Sequence, residues 1–194
     1  MKYFLKLSFL LFFSVGFTQN QYSVANIPSE LTKDVNAVIR DQTTKIILKD
    51  YNDVIISRKE VITAFNRTGL KNISPVAFYD KSSSIKSINA VLFDSNGKVI
   101  RKFKKRDFVD VSASGSNLYT DNRMLVLDFT PKKYPFTFEM NVEIRSSSTA
   151  FLPPWNPSPE YDVSTQYSSY EIINEKQIPI TTRKFNLEDF NVTF

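Results

Sequence analysis

Ser83-Ser84-Ile85-Lys86 has the S-x-x-K spacing that lets a lysine activate a serine nucleophile. That chemistry wants the serine at a helix start, with a distant Lys-Thr-Gly strand. The chain has no Lys-Thr-Gly, and these serines lead into a strand-like stretch, so a serine-rich loop is the better reading. Asp107, Asp110 and Asp121 offer carboxylates for a glycosidase pair, which needs roughly 5 to 9.5 Å between its carboxyl groups. Any chain with 20 acids contains such pairs, and no role follows from this one. Asp94-Ser95-Asn96-Gly97 opens like a calcium loop, but the later ligands and the bidentate glutamate are missing. Turn chemistry explains it.

Two surfaces remain as candidates for binding. Lys98, Arg101, Lys102, Lys104, Lys105 and Arg106 crowd six cations into one short stretch. Such a patch suits nucleic acid or anionic lipid, yet a period-two strand sends the charges to both of its sides. A solvated hairpin whose lysines protect a sheet edge is the expectation, with lipid headgroups as the alternative and no nucleic acid. Trp155, Tyr161, Tyr167 and Tyr170 lie on or near a proline-rich stretch and suit an aromatic platform for sugar rings. A tryptophan there more often closes the end of a sandwich. Trp155, Tyr161, Lys102, Lys104, Lys105 and Arg106 are the candidate ligand or partner surface.

The chain contains no cysteine and no histidine. Those absences remove most nucleophilic triads, cysteine-protease sites, zinc sites and imidazole acid–base chemistry. No catalytic, cofactor-binding or metal-ligating residue is assigned, and no cofactor is expected.

The elements that must position these groups read as strands. Phe136 to Arg145 alternates apolar and polar over ten residues, roughly 34 Å of strand with one buried and one wet face. A half-wet face suits an antiparallel sheet. Ala37–Leu48 and Val54–Phe65 flank the polar cluster Lys49–Asp53 and predict a long hairpin. Asn66–Gly69 breaks the pattern, with Gly69 free to take positive φ. Ile73–Tyr79 predicts a short strand. Ile85–Phe93 and Val99–Phe103 predict a tight hairpin around Asn96-Gly97. Asp107–Asn122 reads as a polar loop, Met124–Phe129 as a strand, and Val163–Ile173 as a further strand. Pro153, Pro154, Pro157 and Pro159 forbid regular pairing around Trp155. Gln19–Asn26 reads as an exposed leader, and Ile27–Leu31 as one helical turn.

Residues 1–18 have the form of a secretory signal peptide. Lys2 and Lys6 flank an apolar run shorter than the roughly 20 residues needed to span a bilayer, and Gly16 and Thr18 supply a cleavage site. Cleavage after Thr18 and an exported location, periplasmic or extracellular in the cell envelope, are expected, with no transmembrane segment left. The formal charge of +5 includes Lys2 and Lys6, so the mature chain is only mildly basic. Residues 19–172 are expected to form one β-sandwich domain. Residues 173–194 supply its last strand or strands, or continue it. Phe185, Leu187, Phe190, Val192 and Phe194 make that tail half-apolar. Either a partner covers it, or the natural domain continues and the sandwich is incomplete at its C-terminal edge.

Several segments carry a family resemblance. Tyr79-Asp80-Lys81 with Ile85–Ile88, Asp94–Ile100, Leu118–Arg123, Phe129 to Tyr134-Pro135, and Phe151–Trp155 with Tyr161-Asp162-Val163 follow one another in register. Together they resemble the domain of unknown function 3857, found at the N-terminus of secreted bacterial transglutaminase-like proteins, as in Bacteroidetes-like bacteria. The resemblance covers roughly Ile27 to Ile173. It implies an all-β, predominantly antiparallel sandwich preceding a papain-like domain whose catalysis needs Cys, His and Asp. With neither Cys nor His here, no catalytic residue carries over. The expected role is a non-catalytic accessory or interaction domain whose partner is a protein or a missing downstream domain. A carbohydrate-binding module of the envelope is the alternative.

Overall fold

The computed structural model describes residues 21–113, 121–181, 183 and 185. The fold is all-β and predominantly antiparallel. Its strands are β1 (Ala37–Asp50), β2 (Asp53–Ala64), β3 (Val76–Tyr79), β4 (Ser83–Phe93), β5 (Val99–Lys104), β6 (Val109–Ser112), β7 (Arg123–Val126), β8 (Phe136–Ser146), β9 (Val163–Thr165) and β10 (Ser168–Asn174). Seven of them make one sheet in the order β10-β1-β2-β8-β4-β5, with β9 also on β1; the other three make a small sheet, β3-β7-β6. β9 and β10 run parallel to β1, and every other pairing is antiparallel.

The alternation of β8 does what its sequence predicts. Phe136, Phe138, Met140 and Val142 are buried on one face. They meet Ala64, Ile62, Glu60 and Arg58 of β2 in register, and Leu92, Ala90 and Ile88 of β4 from Phe138 onward. The small sheet covers the upper part of this face with Ala77, Leu125 and Leu127. Phe129, just after β7, stacks on Phe138 with ring centroids 4.6 Å apart and meets Phe136 edge-on at 6.2 Å. Lower down, Ile46, Leu48, Val54 and Ile56 form a second apolar cluster, covered by Leu152, Tyr170 and Ile178. One face therefore carries two cores.

The opposite face is wet only in part. Tyr22, Ser23 and Val24 lie across it half-buried, where the sequence suggests an exposed leader, while Gln21, Ala25 and Asn26 are exposed as expected. Tyr22 meets Phe93 edge-on at 5.1 Å, and Val24 N donates to Ser95 O at 2.9 Å. A bulge between Ile39 and Asp41 turns Arg40 toward this strap, where its guanidinium donates to Ser23 O, Gln21 O and Gln166 Oε1. Under the strap Thr63 and Thr137 are fully buried, their hydroxyls 2.7 Å apart. Thr137 keeps its place on this face but is covered by the strap, while Glu139, Asn141 and Glu143 stay half-buried and Arg145 exposed.

Three further expectations change. The polar stretch Asp107–Asn122 contains β6, because Val109 and Val111 alternate with Asp110 and Ser112 and pair with β7. The run Val163–Ile173 divides at Gln166 and Tyr167, whose backbone groups bond Ile39 O and Gln42 N while the chain steps past the bulge. Only Val76–Tyr79 of the stretch beginning at Ile73 is strand. Gly97 takes the positive φ of 79° that its turn requires. Gly69 lies instead in the helical turn α1 (Arg67–Leu70), where a Cβ would stand 2.0 Å from Asn36 O. Its need is space for the neighbouring backbone. The signal stretch and Leu187, Phe190, Val192 and Phe194 lie outside the described residues. Among the described residues no helix is long and apolar enough to cross a membrane.

Candidate functional site

Two inward positions of β2 break its apolar alternation. Val54, Ile56, Ile62 and Ala64 are buried, whereas Arg58 is exposed and Glu60 half-buried between them. Glu60 pairs with Gln42, and Arg58 with Thr44, so a polar belt crosses the sheet between the two apolar clusters. Neither the small sheet nor Leu152 and Ile178 fills the space above this belt. A cavity of about 300 Å³ opens there, with Gln42, Glu60, Lys71, Asn72, Asn156 and Glu160 as its polar lining. Ile39, Ile62 and Val163 supply apolar wall.

Each lining group has a local reason for its place. Glu60 is set by strand register. Lys71 and Asn72 follow α1, which Asn66 caps by accepting from Gly69 N at 2.9 Å. Asn156 and Glu160 belong to the proline-rich segment, which cannot join a ladder and is pinned through Thr165 Oγ1 to Pro157 O and Tyr170 Oη to Pro153 O. Burial pushes the Glu60 carboxyl above the usual glutamate range, and the nearby Arg58 charge opposes this only in part. Gln42 is engaged: its Oε1 accepts from Ser168 Oγ at 2.9 Å, and Ser168 Oγ accepts from Trp155 Nε1 at 2.8 Å.

The structure does not bring the sequence-derived candidates together. Trp155 lies against β10 and Tyr161 is fully exposed beyond it. Lys102 and Lys104 lie on β5, the opposite edge of the sheet. Five strand spacings separate those edges, roughly 24 Å at about 4.8 Å each. Lys102 and Lys104 project to the wet face, across from buried Phe103, while Arg101 lies 4.6 Å over the Phe103 ring. Lys105 and Arg106 fall in a 3-10 turn, where Lys105 Nζ donates to Ile85 O at 2.6 Å. Trp155 Nε1 reaches Ser168 on β10 and Tyr170 Oη reaches Pro153 O, while Tyr161 and Tyr167 are exposed.

The other candidate groups have structural partners. Asp107 Oδ2 accepts from Lys104 N at 2.7 Å. Asp110 accepts from Tyr79 Oη at 2.6 Å and from Arg123 Nε at 3.0 Å, contacts that hold its carboxyl below the usual range. Asp121 pairs with Lys81 at 2.5 Å. Ser83 Oγ donates to Asp80 Oδ1 at 2.8 Å, which fixes it in a turn. Asp94 Oδ1 accepts from Asn96 N and Lys98 N, both at 2.9 Å. Among the described residues no group of three or more acidic side chains is placed to hold a metal ion.

A second surface escaped the sequence reading. On the outer face of the small sheet Val76, Val126 and Val109 form one cross-strand row, and Phe78, Met124 and Val111 the next. All six are apolar, and Phe78 and Val109 are 62% and 60% exposed. The alternation Val109-Asp110-Val111-Ser112 was the available signal, hidden by the serine-rich context.

With this architecture in view, comparison places the chain in a family. The family described as a domain of unknown function with solved structure, DUF3857, matches residues 52–192, and the chain belongs to it. No curated protein sequence matches. Among solved structures, a Parabacteroides distasonis protein provisionally named a protease is similar at 14% identity with a TM-score of 0.47. The match covers 60% of this chain and 24% of that one, so this chain spans about a quarter of that protein's length.

Proposed function

We propose that this β-domain is a non-catalytic interaction module of an exported, cell-envelope protein of the transglutaminase-like kind. The observation that carries the reading is the apolar outer face of the small sheet. Valine and phenylalanine rows on a solvated sheet are the chemistry of an inner sandwich face, and a sheet face of that kind is stable when another element packs on it. Its occupant is a protein surface, either a neighbouring domain of the same polypeptide or a separate chain. Chemistry of the transglutaminase or protease kind would be supplied outside these residues, since a Cys–His pair is not available anywhere in the 194.

Hydrogen exchange tests this in a family member that joins the domain to a transglutaminase-like domain. Amides of the strands equivalent to β3, β6 and β7 should be better protected in the joined protein than in the isolated domain. Equal protection in both overturns the docking. Hydrolysis of amide or glycoside substrates by the purified domain, lost on Asp107→Asn or Asp110→Asn, would overturn the absence of catalysis.

Trp155 supports a second reading, a carbohydrate-binding module. It is 36% exposed on a segment rigid with proline, with its Nε1 tied to Ser168. Retardation in polysaccharide gels that disappears in Trp155→Ala would establish that reading, and migration unaffected by every polysaccharide would remove it.

A further inference from the structure

We propose that the cavity above Glu60 binds a protonated primary amine, carried by a small molecule or a side chain, with the Glu60 carboxylate as its anchor. This site lies on the opposite side of the small sheet from the docking face, and neither proposal depends on the other.

Glu60 is half-buried on the inward face of β2. Its side chain makes no hydrogen bond or ion pair among the described residues, and Lys71, Asn156 and Glu160 stand exposed around the cavity mouth. Convergent polar groups beside a cavity are the arrangement of a ligand site. A fold with no use for that polarity would place valine or isoleucine here, as β2 does at Val54, Ile56 and Ile62. The volume of about 300 Å³ lies at the small end for ligand pockets, enough for a group of amino-acid size.

The charges select the class. Two carboxylates, Glu60 and Glu160, and one ammonium, Lys71, line the space, with the exposed Arg58 beside Glu60 on the same face of β2. Arg58 offsets the effect of burial on Glu60 only in part. A half-desolvated carboxylate gains most from a ligand that brings both a positive charge and N–H donors. Asn156 can accept a second ammonium proton, and Ile39, Ile62 and Val163 suit the carbon chain behind it. Metal chemistry is disfavoured because the described acidic groups here number fewer than a hard cation needs.

The experiment is an NMR titration of the whole chain, with the glutamate carboxyl carbons labelled and n-butylammonium as the probe. Expected are saturable shifts at Glu60, Ile62 and Val163, and a fall in the Glu60 pKa as the probe binds. Glu60→Gln should weaken binding about tenfold to a hundredfold, as loss of a charge-assisted hydrogen bond implies. Glu160→Gln, at the cavity rim, should weaken it less, which keeps the test valid if the first variant alters folding. Lysine and glucosamine, each carrying an amine, separate an amino-acid source from an amino-sugar source. Butanol and N-acetylglucosamine lack the charge and should not compete. Equal binding of butanol, or butylammonium binding unchanged in both variants, overturns the proposal, as does the absence of saturable shifts.

Discussion

At the scale of single residues, this domain keeps its polar groups in the interior under tight control. Thr63 and Thr137 face each other in register on β2 and β8, each fully buried, and share one hydrogen bond of 2.7 Å. Thr137→Val strands the Thr63 hydroxyl at a cost of about 1–3 kcal/mol. Thr63→Val leaves Thr137 its long bond to Tyr22 O and should cost less, and replacing both should cost less than the two losses summed. A double-mutant cycle by denaturant unfolding measures this, and simple additivity of the two losses would contradict it. Glu60 behaves in the opposite sense. Its raised pKa means the folded chain holds the proton more tightly than the unfolded chain does. Its contribution to stability is therefore fullest below the ordinary glutamate range and declines as pH rises through the folded-state pKa. Glu60→Gln should abolish that decline, melt higher than the wild type at neutral pH, and converge with it in acid. A neutral-pH melt lower than wild type would contradict the sign.

At the scale of elements, close approach decides more than conformational freedom. Gly69 lets α1 settle on the start of β1, where Asn36 O also accepts from Phe65 N at 3.0 Å. Gly69→Ala should cost about 1–3 kcal/mol through overpacking and raise amide exchange at Phe65; an unchanged melt would refute it. The strands themselves were legible in the sequence because alternation reports burial directly. Phe136–Arg145, the Ala37–Phe65 hairpin and the Asn96-Gly97 turn all appear where their residues place them. The strap was not legible, because Tyr22 and Val24 carry no periodicity and their partners Phe93 and Ser95 are remote in sequence. The candidate site was legible only in a weak form: Arg58 and Glu60 interrupt the inward series of β2, but a cavity appears only once α1 and the proline-rich segment are packed above them. The separation of Trp155 from the basic hairpin depends on strand order, which alternation does not encode.

At the scale of the whole molecule, the two faces of the small sheet set the balance between stability and association. Its inner face helps close the core through Ala77, Leu125 and Leu127, while Phe78 and Val109 contribute little to it. Phe78→Ser combined with Val109→Ser should leave unfolding stability within about 0.5 kcal/mol per site and reduce concentration-dependent association in light scattering. A large loss of stability would instead assign these residues to the fold.

The parallel pairing of β10 with β1 also sets an order of assembly. Thr43 and Ser169, neighbours across that pairing, are 126 residues apart. A chain made from its N-terminus can close the β1–β2 hairpin early, because those contacts are local. The far edge of β1, with Ile46 and Leu48 beside it, then waits for β10 and Ile178. Until they arrive, an unpaired strand edge backed by apolar side chains is open to a strand from another copy. An edge held open in this way would favour exchange of β10 between copies, and a dimer whose share grows with protein concentration during refolding, read by size-exclusion chromatography, is the expected sign.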